Sequence, residues 1–199
     1  MTAFEMVFTL LGLLLGLAIA EILGGFSRAL DLLRTAKPVR IGWLTPLLAT
    51  FLMLDLARFW LEAWSVREQL LVDYPSLVGI LIIVGTYYLA ASLTFPDHAE
   101  EWPDFDAWYD RQNRVVVGGM IVANLTMMLG MAVLEAASGM TAERRLMSEN
   151  ALMVGDLAVV VTLVLLAALI VIKSRLWNAV LLGTLIALQL LVGFADHIL

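Results

Sequence analysis

Residues 151–199 read ALMVGDLAVVVTLVLLAALIVIKSRLWNAVLLGTLIALQLLVGFADHIL, two long apolar runs on either side of a short polar break. Each run, at about 151–172 and about 177–199, is long enough to supply the ~20 predominantly apolar residues that a helix needs to cross a bilayer. The break is Lys173–Ser174–Arg175–Leu176. Because so short a connection leaves no room for a domain, we predict an antiparallel hairpin of two transmembrane helices.

Four further apolar runs precede this hairpin, and polar stretches separate them. They predict spans at about 4–26, 41–64, 76–95 and 115–136. Pro38 ends the first helix, because proline lacks the N–H and clashes with the preceding turn. The predicted fold is therefore an all-α integral membrane bundle of six transmembrane helices, with short loops and no soluble domain, in which 1–199 form a single domain.

The composition is typical of an integral membrane protein. Of the 199 residues, 62% are hydrophobic and 15% charged, whereas a soluble domain has about 45–50% apolar and about 25% charged residues. The net charge of −6 and the lack of a basic stripe argue against a nucleic-acid partner. Without cysteine there is no disulfide framework, thiolate nucleophile or Cys-based metal site. We expect the lipid bilayer as partner and no cofactor.

Basic residues in the short loops predict the orientation, since Lys and Arg concentrate in cytoplasmic loops. One side of the predicted bundle has Arg28, Arg34, Lys37, Arg40, Arg111, Arg114, Lys173 and Arg175. The other side has only Arg67, Arg144 and Arg145. We therefore predict a protein of the bacterial inner (plasma) membrane with both termini on the periplasmic side.

Three charged residues lie within the second predicted span. Asp55, Arg58 and Glu62 are three and four residues apart, so they share one helix face and lie close enough to pair. An unpaired charge in hydrocarbon costs about 2.5–3.5 kcal/mol on insertion scales. There are two interpretations of this set. It is a structural ion pair that locks the helix into the bundle, or it is an ion or proton site in which Arg58 keeps the pKa of a carboxylate at a defined value.

Other ionisable residues either extend this polar core or simply lie at the ends of helices. Glu21, in the first span, has Arg28 two turns on and Arg58 across the bundle as candidate partners, or else it reaches headgroups or water. Four further residues are predicted at the periplasmic face: Glu135, Asp156, Asp196 and His197. Together with Glu62 they line an acidic vestibule for cations, or they are simply solvated residues at the ends of helices.

Several remaining polar features favour packing or solvation over chemistry. Asn124 and Gln189 are predicted near mid-span, where such amides typically form hydrogen bonds between helices. The acidic loop from Asp97 is predicted to be a solvated linker rather than a cation site, and we expect no metal site. From Asp104 onward, aromatic residues at helical spacing predict a short interfacial helix before the fourth span.

The first span contains Gly12, Gly16, Ala20 and Gly24 at a strict four-residue spacing. Small residues in this pattern allow the backbone of a second helix to approach closely. We predict that the first helix packs along this stripe against a neighbouring helix or against a second copy of itself. The pattern indicates packing and says nothing about chemistry.

Three functions remain open. The narrowly favoured hypothesis is a proton- or cation-handling channel or transporter, which predicts that Asp55, Arg58 and Glu21 face a cavity open to water. The alternative is a non-catalytic structural or accessory subunit of a homo-oligomer or larger membrane complex, which predicts paired charges in a dry bundle and an exposed glycine stripe. We do not expect an enzyme, because the chain has no HExxH motif, glycine-rich phosphate loop or nucleophile elbow.

Overall fold

The computed structural model describes residues 3–34, 40–67, 73–98, 102, 104–138 and 149–195, and side chains over 7–34, 40–67, 73–98, 102, 104–134, 136 and 157–194. Six helices run through these ranges: α1 Ala3–Arg34, α2 Leu44–Ser65, α3 Tyr74–Thr94, α4 Phe105–Ser138, α5 Glu149–Val171 and α6 Arg175–Ala195. The described ranges contain no β-strand. The predicted all-α membrane bundle is confirmed.

Five of these helices, α1, α2, α3, α4 and α6, are long and apolar enough to cross a membrane. The fully described apolar part of α5 is shorter, Leu157–Val171. The whole of α5 has 23 residues, and a helix of that size is about 35 Å long, close to the thickness of the hydrocarbon. The chain is therefore a multi-pass membrane protein.

Helix α4 begins ten residues before the predicted fourth span, at Phe105 rather than at about Val115. The interfacial helix that was predicted from Asp104 onward continues into the span as one helix of 34 residues. Neither proline nor glycine occurs between Phe105 and Val115, so nothing in this stretch interrupts the backbone hydrogen bonds. The helix predicted from Asp104 onward is therefore the first part of α4.

The packing order differs from the chain order. Helix α3 packs mainly on α4 and α1, α2 packs on α6, and α5 packs on α4. Gly25 brings α1 close to the end of α3, because a Cβ added there would lie 2.1 Å from Cδ2 of Phe95. The Phe95 ring is buried between Phe26 and Phe105, with ring centroids 5.2 and 6.4 Å away.

The start of α2 is held by the start of α4. Thr45 Oγ1 donates to the Phe105 carbonyl at 2.9 Å, and the Leu44 backbone N–H donates to Asp106 Oδ1 at 3.2 Å. Asp106 thereby satisfies one of the free N–H groups at this helix end. Its carboxyl group fills the space in front of Gly42, where an added Cβ would lie 1.9 Å from Asp106 Cγ.

The start of α3 is capped from within its own segment. Asp73 Oδ1 accepts the backbone N–H of Ser76 at 2.9 Å, and Pro75 occupies the first turn, where its missing N–H is harmless. Hydrogen bonds from the Ser76 side chain and backbone lower the pKa of Asp73. The stability that this cap contributes is present above the ordinary pKa of aspartate and is lost as pH falls through the lowered value.

Candidate functional site

Asp55 of α2 lies inside the bundle, and none of its surface is exposed. Its Oδ1 accepts from Arg58 Nη2 at 3.3 Å and from Gln189 Nε2 at 3.0 Å. Its Oδ2 accepts from the Tyr87 hydroxyl at 2.8 Å and from Asn124 Nδ2 at 3.0 Å. A carboxylate has about four lone-pair positions, so these four donors match its hydrogen-bonding capacity. We call these five residues the Asp55 network.

The network connects four helices of the bundle. Arg58 comes from α2 itself, whereas Tyr87, Asn124 and Gln189 come from α3, α4 and α6. Asp55 reaches them because it lies on the face of α2 that is otherwise apolar and buried. The Tyr87 ring packs against Phe59 of the same face, with centroids 5.6 Å apart.

The donors of the Asp55 network also contact one another. Asn124 Nδ2 lies 3.3 Å from the Tyr87 hydroxyl oxygen and donates to the Met120 carbonyl at 2.9 Å. Arg58 Nη2 donates to Asn124 Oδ1 as well as to Asp55. The positions of Arg58, Tyr87 and Asn124 are therefore each fixed by more than one partner, which orients these donors toward the carboxylate.

Arg58 extends the polar contacts from the interior toward the surface. Its Nη1 donates to Glu62 Oε1 at 2.9 Å, and the Arg58 and Glu62 side chains are 23% and 33% exposed. Arg58 Nε is buried and has no hydrogen-bond partner in the described part of the chain. The two carboxylates of Asp55 and Glu62 and the one guanidinium leave this group with a formal charge of −1.

Glu21 does not join the Asp55 network. It is half-buried on α1, and within the described residues no hydrogen bond or ion pair links it to Arg28 or to Arg58. The Arg28 guanidinium instead lies beside Gly24, where an added Cβ would be 3.5 Å from Arg28 Nη1. Of the three residues predicted to form the polar core, the structure brings together only Asp55 and Arg58.

The predicted acidic vestibule falls largely beyond what the structure describes. Asp196 and His197 lie outside the described residues, and the side chains of Glu135 and Asp156 do as well. Only Glu62 of that group has described contacts. The vestibule therefore stays a prediction.

The predicted glycine stripe on α1 divides into covered and open parts. A Cβ added to Gly12 would lie 3.4 Å from Trp60 Cη2, so this end packs on α2. A Cβ added to Gly16 would meet nothing within 4 Å, and Ala20 is exposed. The open part of the stripe is thus the turn of α1 that contains Gly16 and Ala20.

Tyr87 is the member of the network that sequence analysis missed. The signal was a phenol near the middle of an apolar helix, since a buried tyrosine hydroxyl usually finds a hydrogen-bond partner. Asn124 and Gln189 were predicted to bond between helices, but their shared acceptor was not identified. Within the described residues, no group of three or more His, Asp or Glu side chains could hold a metal ion.

Comparisons with protein families, with curated proteins and with solved structures find no match to this chain.

Proposed function

We propose that this chain is a non-catalytic structural or accessory membrane subunit, whose buried charges hold its own helices together. The observation that carries the proposal is the saturation of Asp55, which has no exposed surface and accepts from four donors. A carboxylate that binds an ion or exchanges a proton needs a lone pair that a ligand or water can reach. Here protein donors already use these positions, which favours the accessory hypothesis over a channel or transporter.

The open part of the glycine stripe supports association through α1. Gly16 and Ala20 lie on an exposed face of α1, beside Leu13 and Leu17, which are 62% and 46% exposed. Small residues between larger apolar ones form a shallow groove that a second helix backbone can enter. We propose that the occupant of this groove is α1 of a second copy, because a small-residue stripe is complementary to itself when two helices cross.

Gly16→Ile is expected to weaken this self-association about tenfold or more. The β-branched side chain would fill the groove and keep the two backbones apart, and each tenfold change corresponds to about 1.4 kcal/mol. The measurement is energy transfer between donor- and acceptor-labelled protein in liposomes, over a range of protein-to-lipid ratios. The same samples give the helix content, so that a folding defect is recognised.

Gly130→Ile is the matched control. Gly130 is exposed on α4, and a Cβ added there would also meet nothing within 4 Å. This variant should associate like the unmodified protein. A protein that stays monomeric at every ratio, or Gly16→Ile and Gly130→Ile variants that associate equally well, would rule out this interface.

Proton or cation handling is the second candidate, and one observation favours it. The Arg58–Glu62 pair leads from the buried carboxylate to a partly exposed edge of the bundle, and the group carries a formal charge of −1. A proton or cation that arrived at Glu62 would neutralise that excess. Glu62 rather than Asp55 would then be the residue that exchanges with the outside.

Uptake of protons into liposomes tests this second candidate. With a pH-sensitive dye inside and an imposed potential, a conducting protein should acidify the lumen, and Glu62→Gln should abolish the signal. Asp97→Asn, which changes an exposed acid beyond α3, should leave it intact. Uptake no faster than in protein-free liposomes rules out proton conduction.

We further propose that the protein resides in the inner (plasma) membrane with both termini on the periplasmic side. The proposal is supported by the exposed basic residues at one set of helix ends. Arg34 ends α1, Arg111 and Arg114 lie near the start of α4, Lys173 lies between α5 and α6, and Arg175 begins α6. Clusters of this kind are typical of the cytoplasmic face.

A further inference from the structure

A polar pocket of about 390 Å³ lies where the start of α4 meets the α5–α6 connection. Its lining includes three basic side chains, Arg111, Arg114 and Lys173, together with Asn178 and Ile170. All three basic residues are exposed, whereas Asn178 is only 1% exposed. The pocket therefore combines a cationic rim with a buried amide, and neither the Asp55 network nor the α1 face includes any of its residues.

The acid in the pocket does not neutralise these cations. Asp110 accepts from Arg175 Nε at 2.9 Å and from Arg175 Nη2 at 2.7 Å, so its charge is already paired. Within the described residues neither Arg114 nor Lys173 has an ion-pair partner. The Arg111 guanidinium lies 5.9 Å from the centroid of the Trp102 ring. The pocket thus has an excess of positive charge, which favours an anion.

Asn178 adds a requirement for a hydrogen-bond donor. Its Oδ1 is buried and has no partner among the described residues. A buried acceptor that stays unsatisfied is destabilising, and nearly all such atoms in proteins are paired. A ligand that fits the pocket should therefore carry a hydroxyl or N–H group next to its negative charge.

We propose that this pocket binds the headgroup of an anionic phospholipid with a hydroxylated headgroup, such as phosphatidylglycerol. Arg114 and Lys173 hold the phosphate, and a headgroup hydroxyl donates to Asn178 Oδ1. Basic pockets between transmembrane helices on the cytoplasmic side are typical sites for anionic headgroups.

A lipid fits this site better than a soluble phosphate compound does. Val171 and Leu176, on either side of the lining residue Lys173, are 75% and 74% exposed. They provide an apolar surface for acyl chains beside the pocket. The pocket also lies at the ends of membrane-spanning helices, the level at which lipid phosphates are found.

Titration of the purified full-length chain in detergent with short-chain lipids tests the proposal. Phosphatidylglycerol should bind at least tenfold more tightly than phosphatidylcholine, whose phosphate is neutralised by its choline. Arg114→Gln and Lys173→Gln should each weaken binding of phosphatidylglycerol about fivefold, the effect of one basic residue near an anionic surface. Arg34→Gln, which removes an exposed charge from α1 outside the pocket, should leave the affinity unchanged.

Asn178→Leu tests the role of the hydroxyl group. The unmodified protein should prefer phosphatidylglycerol to phosphatidylmethanol, a phosphodiester of the same charge without headgroup hydroxyls, and Asn178→Leu should remove this preference. Thermal unfolding of the same variant shows whether the bundle is intact. Because Arg114 and Lys173 are exposed, their variants test the charge requirement even if Asn178→Leu fails to fold.

Three results would overturn the proposal. Equal affinity for phosphatidylglycerol and phosphatidylcholine would exclude a site for anionic headgroups. An Arg114→Gln/Lys173→Gln double variant that binds as well as Arg34→Gln would exclude this pocket. Full competition by glycerol phosphate at the concentration of the lipid would assign the site to a soluble phosphate compound, whereas weak competition supports the lipid.

Discussion

Asp55→Asn is expected to destabilise the folded chain by about 2–4 kcal/mol, because an unsatisfied buried donor typically costs about 1–3 kcal/mol and more than one would be left. Arg58 would keep Glu62 as its ion-pair partner but would lose the carboxylate that accepts from it on the inner side. Asparagine also presents only one oxygen to donors that now use two, and its NH₂ group would point at donors rather than acceptors. The measurement is reversible unfolding in mixed detergent micelles, followed by loss of helical circular dichroism.

Two further variants make this test quantitative. Gln189→Leu removes one neutral donor and leaves the ion pair, so it should cost only about 0.6–1.7 kcal/mol, as for hydrogen bonds between membrane helices. Asp97→Asn changes an exposed acid and should stay within about 0.5 kcal/mol of the unmodified protein. If Asp55→Asn were as stable as Asp97→Asn, the network would not hold the helices together.

Gly25→Ala is expected to destabilise the bundle by about 1–3 kcal/mol, although alanine is the better helix former. The added Cβ would lie 2.1 Å from Cδ2 and 2.4 Å from Cγ of Phe95. Phe95 is only 2% exposed and packs edge to face between Phe26 and Phe105. Its ring therefore has no free space to move into, so α1 and α3 must separate.

Gly16→Ala is the matched control for this steric argument. It makes the same chemical change on the same helix, but no atom lies within 4 Å of the added Cβ. Its unfolding free energy should equal or exceed that of the unmodified chain by up to about 1 kcal/mol, because alanine favours the helix. Unfolding by detergent or heat compares the two variants directly, and equal stabilities would show that α1 and α3 do not meet at Gly25.

The membrane bundle could be predicted because lipid leaves the backbone few alternatives. A spanning segment must satisfy every backbone polar group internally, so long apolar runs such as 151–172 could be assigned as helices from composition and length. The ends were harder to predict. The polar stretch after Asp104 is amphipathic enough for an interfacial helix, and only the structure shows that α4 continues through it.

The sequence could predict which residues of the candidate site share one helix face, but it could not predict the contacts that the site makes between helices. Spacing alone placed Asp55, Arg58 and Glu62 on a common face. The contribution of Tyr87 and Gln189 depends on how α3 and α6 are rotated and tilted, and neighbouring helices rather than the local sequence set these angles. For the same reason the sequence could not show that Glu21 lies away from the Asp55 network.

The central claim is that the Asp55 network is dry and structural, and cysteine accessibility tests it most directly. The chain has no cysteine, so single cysteines can be placed at Ala91, one turn after Tyr87, and at Ala123, next to Asn124. Both positions are at most 2% exposed. Ser174→Cys, in the exposed α5–α6 connection, shows that the reagent is active. Labelling after unfolding gives the total amount of cysteine that can react in each variant.

We predict that Ala91→Cys and Ala123→Cys stay unlabelled by a small water-soluble thiol reagent for as long as Ser174→Cys takes to react fully. Labelling of Ala91→Cys or Ala123→Cys at a rate close to that of Ser174→Cys, in folded protein, would mean that water reaches the carboxylate. That result would contradict a structural role and support a path for protons or cations through the bundle.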